Sequence, residues 1–282
     1  MKILLAKPYG YCYGVSRAME IASLAKKEHP SEAVYLIGAP VHNEDAISSL
    51  KAEGLLLLDG DFVTLEEKLS NLKEGSVVIF SAHGHPHSFD EAARNRKLMV
   101  YDGTCSFVEE NLSLALSSPR VLYIGSEGHA EKEAFLANCP KAKFYDAKSS
   151  KGNWKECECP PTLICQTTLS GEEIEKAKKK IQETLGEFNL AKGRCTATKI
   201  RQEKVAQLSK EADATIVLGS KTSNNANKLF QIASSNGPAY LCLDEKEVRK
   251  LDLSSFKTVL VCSSASTSKQ IVDETVSYLS SL

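Results

Sequence analysis

The chain has 282 residues, enough for one large domain or two to three small ones with real cores. Its 35 basic and 36 acidic residues nearly cancel, so no electrostatic footprint for nucleic acid appears. No run approaches the roughly 18 apolar residues of a membrane span, and the apolar stretch within Met1–Pro8 is too short for a signal peptide. The expected location is cytoplasmic, with neither nucleic acid nor membrane as a partner.

Nine cysteines are many for such a chain. Their odd number and the lack of an export signal argue against a disulfide framework. Some are expected to be metal ligands and the rest small buried hydrophobes.

Taken in order, the first strand is read at Ile3–Ala6. It leads into Tyr9-Gly10-Tyr11-Cys12 and a helix whose Val15, Ala18, Met19, Ala22 and Ala25 share one apolar face. Strand Val34–Ile37 precedes His42-Asn43, and strand Val77–Phe80 ends at Ser81-Ala82-His83-Gly84. Between them Thr64 and Glu67 have the spacing of a capping box. Leu98–Tyr101 then enters Asp102-Gly103-Thr104-Cys105. Strand Val121–Ile124 precedes Gly128-His129, and Thr162–Ile164 precedes Gln166-Thr167-Thr168. A second capping box, Ser170 with Glu173, opens the next helix. Phe188–Ala191 enters Lys192-Gly193-Arg194-Cys195. Thr215–Leu218 precedes Ser223-Asn224-Asn225, and Val259–Val261 precedes Ser266. Near-continuous apolar runs of this kind suit parallel strands buried on both faces. Their alternation with amphipathic helices gives an α/β fold.

Three of these segments are alike: a strand, a turn with Gly two residues before Cys, then a helix. They recur about every ninety residues, and two strands with polar ends follow each cysteine, which marks a threefold internal duplication. The expected architecture is three similar α/β units with parallel sheets, in a pseudo-threefold arrangement around a central iron–sulfur cluster. The units are placed at 14–103, 104–192 and 193–282, with strand 1–13 joining the third. Ligands bind beyond the carboxyl ends of parallel strands, so one cavity is expected to gather Cys12, Cys105, Cys195 and the polar clusters.

Three thiolates on a four-iron cube leave one iron open, a Lewis acid attached to an electron source. Zinc is the rival metal, although the wide spacing matches no common structural zinc site. Cys157, Cys159 and Cys165 form a closer trio whose role stays open, and Cys139, Cys242 and Cys262 read as core thiols. His42, His83, His129, Ser223, Asn224, Asn225 and Ser266 are neutral donors at strand-to-helix junctions, where helix N-termini favour an anion such as a diphosphate. No Walker sequence or dinucleotide-binding glycine pattern occurs. Glu131 is the carboxylate of the set, suited to deliver a proton to a departing hydroxyl, with Thr167 as relay. The alternative for Glu131 is an exposed place on a first helical turn, favoured by the dipole.

Several motifs resemble the LytB family of hydroxymethylbutenyl diphosphate reductases. They are Gly10 to Ala18, Val41-His42-Asn43, Ser81-Ala82-His83-Gly84, Asp102-Gly103-Thr104-Cys105, Gly128-His129-Ala130-Glu131, Gln166 to Ser170 and Gly219 to Asn225. The resemblance implies one [4Fe-4S] cluster held by Cys12, Cys105 and Cys195, with an open iron for the substrate hydroxyl. It implies His42, His83, His129, Ser223, Asn225 and Ser266 around a diphosphate, Glu131 as proton source, Thr167 beside it, and a ferredoxin or flavodoxin as electron donor. The implied reaction is two-electron dehydroxylation of 4-hydroxy-3-methylbut-2-enyl diphosphate to isopentenyl and dimethylallyl diphosphates, in the methylerythritol phosphate route. Asn224 stands where the family usually has Ser, Tyr13 where it has a small residue, and Gly103 where it has Ala. Other open readings are a related cluster enzyme with a different allylic or phosphorylated substrate, and a cluster-bearing sensor or carrier without turnover.

Overall fold

The computed structural model describes residues 1–38, 44–191 and 195–282. Three four-stranded sheets, parallel in every pairing, contain all the strands among the described residues. One is built from β2 (Val34–Ile37), β3 (Leu56–Leu58), β4 (Val77–Phe80) and β5 (Met99–Asp102), in the order β3-β2-β4-β5. Another is built from β6 (Val121–Gly125), β7 (Lys143–Asp146), β8 (Thr162–Cys165) and β9 (Asn189–Leu190), in the order β7-β6-β8-β9. The third joins β10 (Ala214–Leu218), β11 (Ala239–Cys242) and β12 (Thr258–Ser263) to β1 (Lys2–Leu5), in the order β11-β10-β12-β1. The strand order is the same in all three. In each, the fourth strand is the one followed in sequence by Cys105, Cys195 or Cys12.

Helices lie between the strands: α1 (Tyr13–Glu28), α2 (Glu44–Ala52), α3 (Phe62–Ser70), α4 (His87–Asn95), α5 (Ser106–Ser117) and α6 (Ala130–Asn138). They continue with α7 (Gly171–Leu185), α8 (Thr196–Leu208), α9 (Asn224–Ser234), α10 (Glu245–Val248) and α11 (Lys269–Ser280). Every residue of β4, β6 and β10 is buried, as their uninterrupted apolar sequences predict. Each sheet has a core on both faces; for the β2–β5 sheet one layer contains Leu65, Phe80 and Phe89 and the other Ala22, Leu36 and Ile79. Fully burying one such large apolar side chain is worth roughly 1.5–3 kcal/mol. The face of α1 read from spacing supplies Ala18, Ala22 and Ala25 to that interior.

Contacts gather the chain into two compact units. Residues 1–16, 41–48 and 196–282 form one, which holds the β1/β10–β12 sheet; residues 17–40 and 49–195 form the other, which holds the remaining two sheets. No helix among the described residues is long and apolar enough to cross a membrane.

Two local expectations change. The Ser170–Glu173 capping box is present at the start of α7, but Thr64 caps nothing. The cap of α3 is Asp61, whose carboxylate accepts the Thr64 N–H at 2.8 Å and starts the helix earlier. Each sheet also carries an edge strand absent from the sequence reading, namely β3, β7 and β11. Of these, β3 (three leucines) and β11 (Ala239–Cys242) are apolar but very short, while β7 opens on Lys143 and closes on Asp146.

Candidate active site

Two cysteine turns are built alike. Cys105 is the N-cap of α5, and its N–H donates to the Ala82 carbonyl at 3.1 Å. Cys12 directly precedes α1, and its N–H donates to the Ala265 carbonyl at 3.0 Å. Ala82 lies between Ser81 and His83, and Ala265 between Ser264 and Ser266. Each backbone bond therefore ties a cysteine to the polar end of the neighbouring strand in its sheet. The glycines are required: Gly10 has φ +80°, and a Cβ on Gly103 would lie 2.5 Å from the Phe80 carbonyl oxygen. Cys195 stands just before α8; residues 192–194 of its turn lie outside the described residues. All three cysteines are half-buried at the start of a helix, where negative charge is favoured.

Side chains from the helices that follow these cysteines brace the turns. Arg201 of α8 is buried and donates to the carbonyls of Pro8 at 2.6 Å and Gly10 at 2.9 Å, fixing the approach to Cys12. Arg17 of α1 donates to the Thr104 carbonyl, one residue before Cys105. Asn111 of α5 donates to the Cys165 carbonyl at 3.1 Å, two residues before Thr167.

In the unit holding the β2–β5 and β6–β9 sheets, His83 and His129 meet edge to face, with ring centroids 5.6 Å apart. His129 caps α6, its Nδ1 accepting the Glu131 N–H at 3.2 Å, so the neutral ring carries its proton on Nε2. Glu131 is 2 % exposed, which overturns the alternative of a solvated first-turn carboxylate. Its Oε2 accepts from Thr167 Oγ1 at 2.6 Å, and its Oε1 accepts the Thr167 N–H at 2.9 Å. Tyr123 Oη lies 3.4 Å from Oε1. Burial pushes the carboxyl up to about 7, against the opposing pull of the hydrogen bonds from Thr167 and Tyr123. The buried carboxyl therefore holds its proton to a higher pH than a solvated one, as a proton donor must. Gln166 locks the surrounding loops by accepting the Ser126 N–H at 2.8 Å and donating to Thr168 Oγ1 at 2.6 Å.

In the other unit, Ser223 caps α9 by accepting the Ala226 N–H at 3.3 Å, followed by half-buried Asn224. Asn225 is 7 % exposed, and its side-chain oxygen and nitrogen have no hydrogen-bond partner among the described residues. A buried amide left unsatisfied costs about 1–3 kcal/mol, so this position suits a polar ligand. Ser266 lies in a hydroxyl cluster, with Ser264 Oγ 3.1 Å from its own Oγ and 3.0 Å from that of Thr267. Predicted His42 lies outside the described residues, as do Val41 and Asn43. Tyr13, at the position where the family usually has a small residue, is 67 % exposed.

The remaining cysteines separate cleanly. Cys139, Cys242 and Cys262 are core residues whose thiols burial pushes up, to about 11 for Cys242 and about 12 for Cys262. Cys157 and Cys159 direct their sulfurs at the carbonyls of Val121 and Leu185, and Cys165 is buried at the end of β8. Among the described residues, no three His, Cys, Asp or Glu side chains stand grouped to hold a metal ion.

Sequence reading missed Tyr123, Asn111, Gln166 and the bracing roles of Arg17 and Arg201. A phenol inside an otherwise aliphatic buried strand is one usable signal, because its hydroxyl must find a partner. The other is the recurrence of Arg17, Asn111 and Arg201 five or six residues after a cysteine.

Comparison with known sequences decides the family: the sequence model described as LytB protein matches residues 3–280. The chain belongs to the LytB family. Among LytB relatives, the 4-hydroxy-3-methylbut-2-enyl diphosphate reductase of Anoxybacillus flavithermus is 32 % identical over 287 residues, spanning 99 % of this chain and 90 % of the relative. The enzyme of the same name from Bacillus cytotoxicus is 32 % identical over 289 residues, with the same coverage. The solved structure of E-1-hydroxy-2-methyl-but-2-enyl-4-diphosphate reductase from Plasmodium falciparum superposes with a TM-score of 0.85 at 26 % identity, covering 99 % of this chain and 88 % of that one. A structure of (E)-4-hydroxy-3-methyl-but-2-enyl diphosphate reductase, described as the terminal enzyme of the non-mevalonate pathway, gives 0.70 at 27 % identity and covers both chains fully.

Proposed function

We propose that this LytB-family chain is a 4-hydroxy-3-methylbut-2-enyl diphosphate reductase, converting its substrate to isopentenyl and dimethylallyl diphosphates. The observation that carries the reading is the buried Glu131 carboxyl, pushed up to about 7 and hydrogen-bonded at 2.6 Å to Thr167. A sensor or electron carrier has no use for such a proton donor.

The residues that would hold the [4Fe-4S] cluster are Cys12, Cys105 and Cys195. Their fit is supported by half-buried thiols at helix starts and, for Cys12 and Cys105, by the matching backbone anchors. When bound, that group would offer an open iron to the substrate hydroxyl and would pass on, one at a time, the two electrons of the external donor. The protein's task is then binding and proton delivery. Asn225, Ser223 and Ser266, with Asn224 beside them, receive the diphosphate together with His83, His129 and His42. These groups hold the anion by hydrogen bonds and helix N-termini. Glu131 gives its Oε2 proton to the Thr167 hydroxyl, which passes its own to the departing oxygen. The C–O bond breaks, the oxygen leaves as water, and two electrons and a second proton, added at one or the other end of the allyl unit, complete dimethylallyl or isopentenyl diphosphate. A ferredoxin or flavodoxin supplies the electrons, and the enzyme works in the cytoplasm.

The test is anaerobic reconstitution followed by reduction of 4-hydroxy-3-methylbut-2-enyl diphosphate with an artificial one-electron donor. About four irons per chain and formation of both isomers are expected. A fully loaded protein that leaves the diphosphate unchanged would overturn the assignment of substrate.

A further inference from the structure

Tyr123 is a wholly buried titratable residue in the middle of β6, and binding and proton delivery as described do not use its phenol. Its ring stacks on Phe135 of α6, centroids 4.2 Å apart and planes 24° from parallel. Phe135 is one helical turn beyond Glu131, so the stack aims the hydroxyl along α6 at the carboxyl. Room for the ring depends on Gly125, where a Cβ would come within 2.7 Å of Tyr123 Cε1.

The two oxygens of Glu131 have different surroundings. Oε1 faces the Thr167 N–H at 2.9 Å and the Tyr123 hydroxyl at 3.4 Å. A backbone amide can only donate, and the Tyr123 hydroxyl turned the same way is a second donor. A proton placed on Oε1 would meet the amide hydrogen head-on. Oε2 faces Thr167 Oγ1 at 2.6 Å, a hydroxyl that can accept a proton and donate its own.

We propose that Tyr123 is a positioning residue, whose hydroxyl acts with the Thr167 N–H to assign the Glu131 proton to Oε2 and so direct it through the Thr167 hydroxyl. The inference deepens, and rests on, the reading of Glu131 as the proton source. The groups facing the carboxyl are Tyr123 from β6 and Thr167 from the loop beyond β8. His129 engages the Glu131 backbone N–H, and Cys165 at the end of β8 bears on Tyr123 rather than on the carboxyl.

Tyr123→Phe keeps the ring and its stack while removing the hydroxyl. In the reconstituted holoenzyme, kcat is expected to fall roughly two- to tenfold with KM unchanged, the worth of one hydrogen bond. The carboxylate loses a donor, so the high-pH limb of the kcat profile should move upward by about 0.5–1 pH unit. Infrared titration of substrate-free protein reads the same coupling without turnover. The carboxyl band, identified by its loss in Glu131→Gln, should titrate at higher pH in Tyr123→Phe. Adding Tyr123→Phe to Thr167→Val should cost little more than Thr167→Val alone, because both act on one proton. An unmoved limb with an unmoved carboxyl titration would overturn the proposal, and so would an equal loss of kcat at every pH. If wild-type protein does not turn over the diphosphate while the infrared titration shifts, the substrate assignment fails and the Tyr123–Glu131 coupling stands.

Discussion

Replacing Glu131 by Gln tests how the fold keeps a carboxyl protonated, independently of any substrate. In an unfolded chain this group titrates near its ordinary value of 4.5; in the folded protein burial moves it to about 7. Below 4.5 both states hold the proton, so the shift has no effect on stability. As pH rises from 4.5 towards 7 the unfolded chain releases a proton that the folded state retains, and stability falls. Above about 7 the full penalty applies, roughly 3 kcal/mol. The glutamine side chain cannot ionise, so the variant lacks this slope, while its changed hydrogen bonding alters stability equally at every pH. Urea unfolding of both proteins at about pH 5 and pH 8, at matched iron content, should show the variant gaining about 2–3 kcal/mol on wild type between the two. Parallel curves would mean that the buried carboxyl does not carry the proton, and the proton-delivery scheme would fail with it.

Four further outcomes are expected. Thr167→Val should lower kcat by roughly 100-fold or more with little change in KM, measured by steady-state reduction of the diphosphate, since the relay is lost while binding groups stay. Asn225→Leu removes two unsatisfied buried atoms, so urea unfolding should show stability unchanged or raised by about 1 kcal/mol while KM rises. Gly125→Ala drives a methyl to within 2.7 Å of the Tyr123 ring and 3.0 Å of Gln166 Oε1, and should cost about 1–3 kcal/mol in the same assay. Cys105→Ser should leave the far-ultraviolet circular dichroism unchanged but reduce iron bound after anaerobic reconstitution.

The central strands and the cysteine turns were legible because their physics is local. A strand buried on both faces must be apolar throughout, and a turn with Gly103 lodged against the Phe80 carbonyl admits only hydrogen at that position. Glu131 and Thr167 could be named as a pair from their expected strand ends, yet their contact joins the first turn of α6 to the loop beyond β8, 36 residues apart. The edge strands β3, β7 and β11 were not read: β7 is broken by Lys143 and Asp146, while Leu56–Leu58 and Ala239–Cys242 are apolar runs of only three and four residues. The false capping box at Thr64 has a plain cause: Asp61 competes for the same backbone N–H and wins by starting the helix sooner. The sequence assigns Arg17 and Arg201 no role of their own, and only tertiary structure shows them gripping carbonyls before Cys105 and Cys12.

The placement of β1 bears on when the protein becomes competent during synthesis. Lys2 pairs with Thr258 and Leu5 with Val261, and the loop leading to Cys12 is gripped by Arg201. Contacts so distant along the chain close slowly. Until β12 has left the ribosome, β1 has no neighbour to pair with and the Cys12 turn lacks its anchor at Ala265. The Cys105 turn differs, since Phe80 and Ala82 precede it by only some twenty residues and are already made when it emerges. The Cys12 turn therefore gains its anchor only after β12 and Ala265 have been made, although Cys12 is the first cysteine translated.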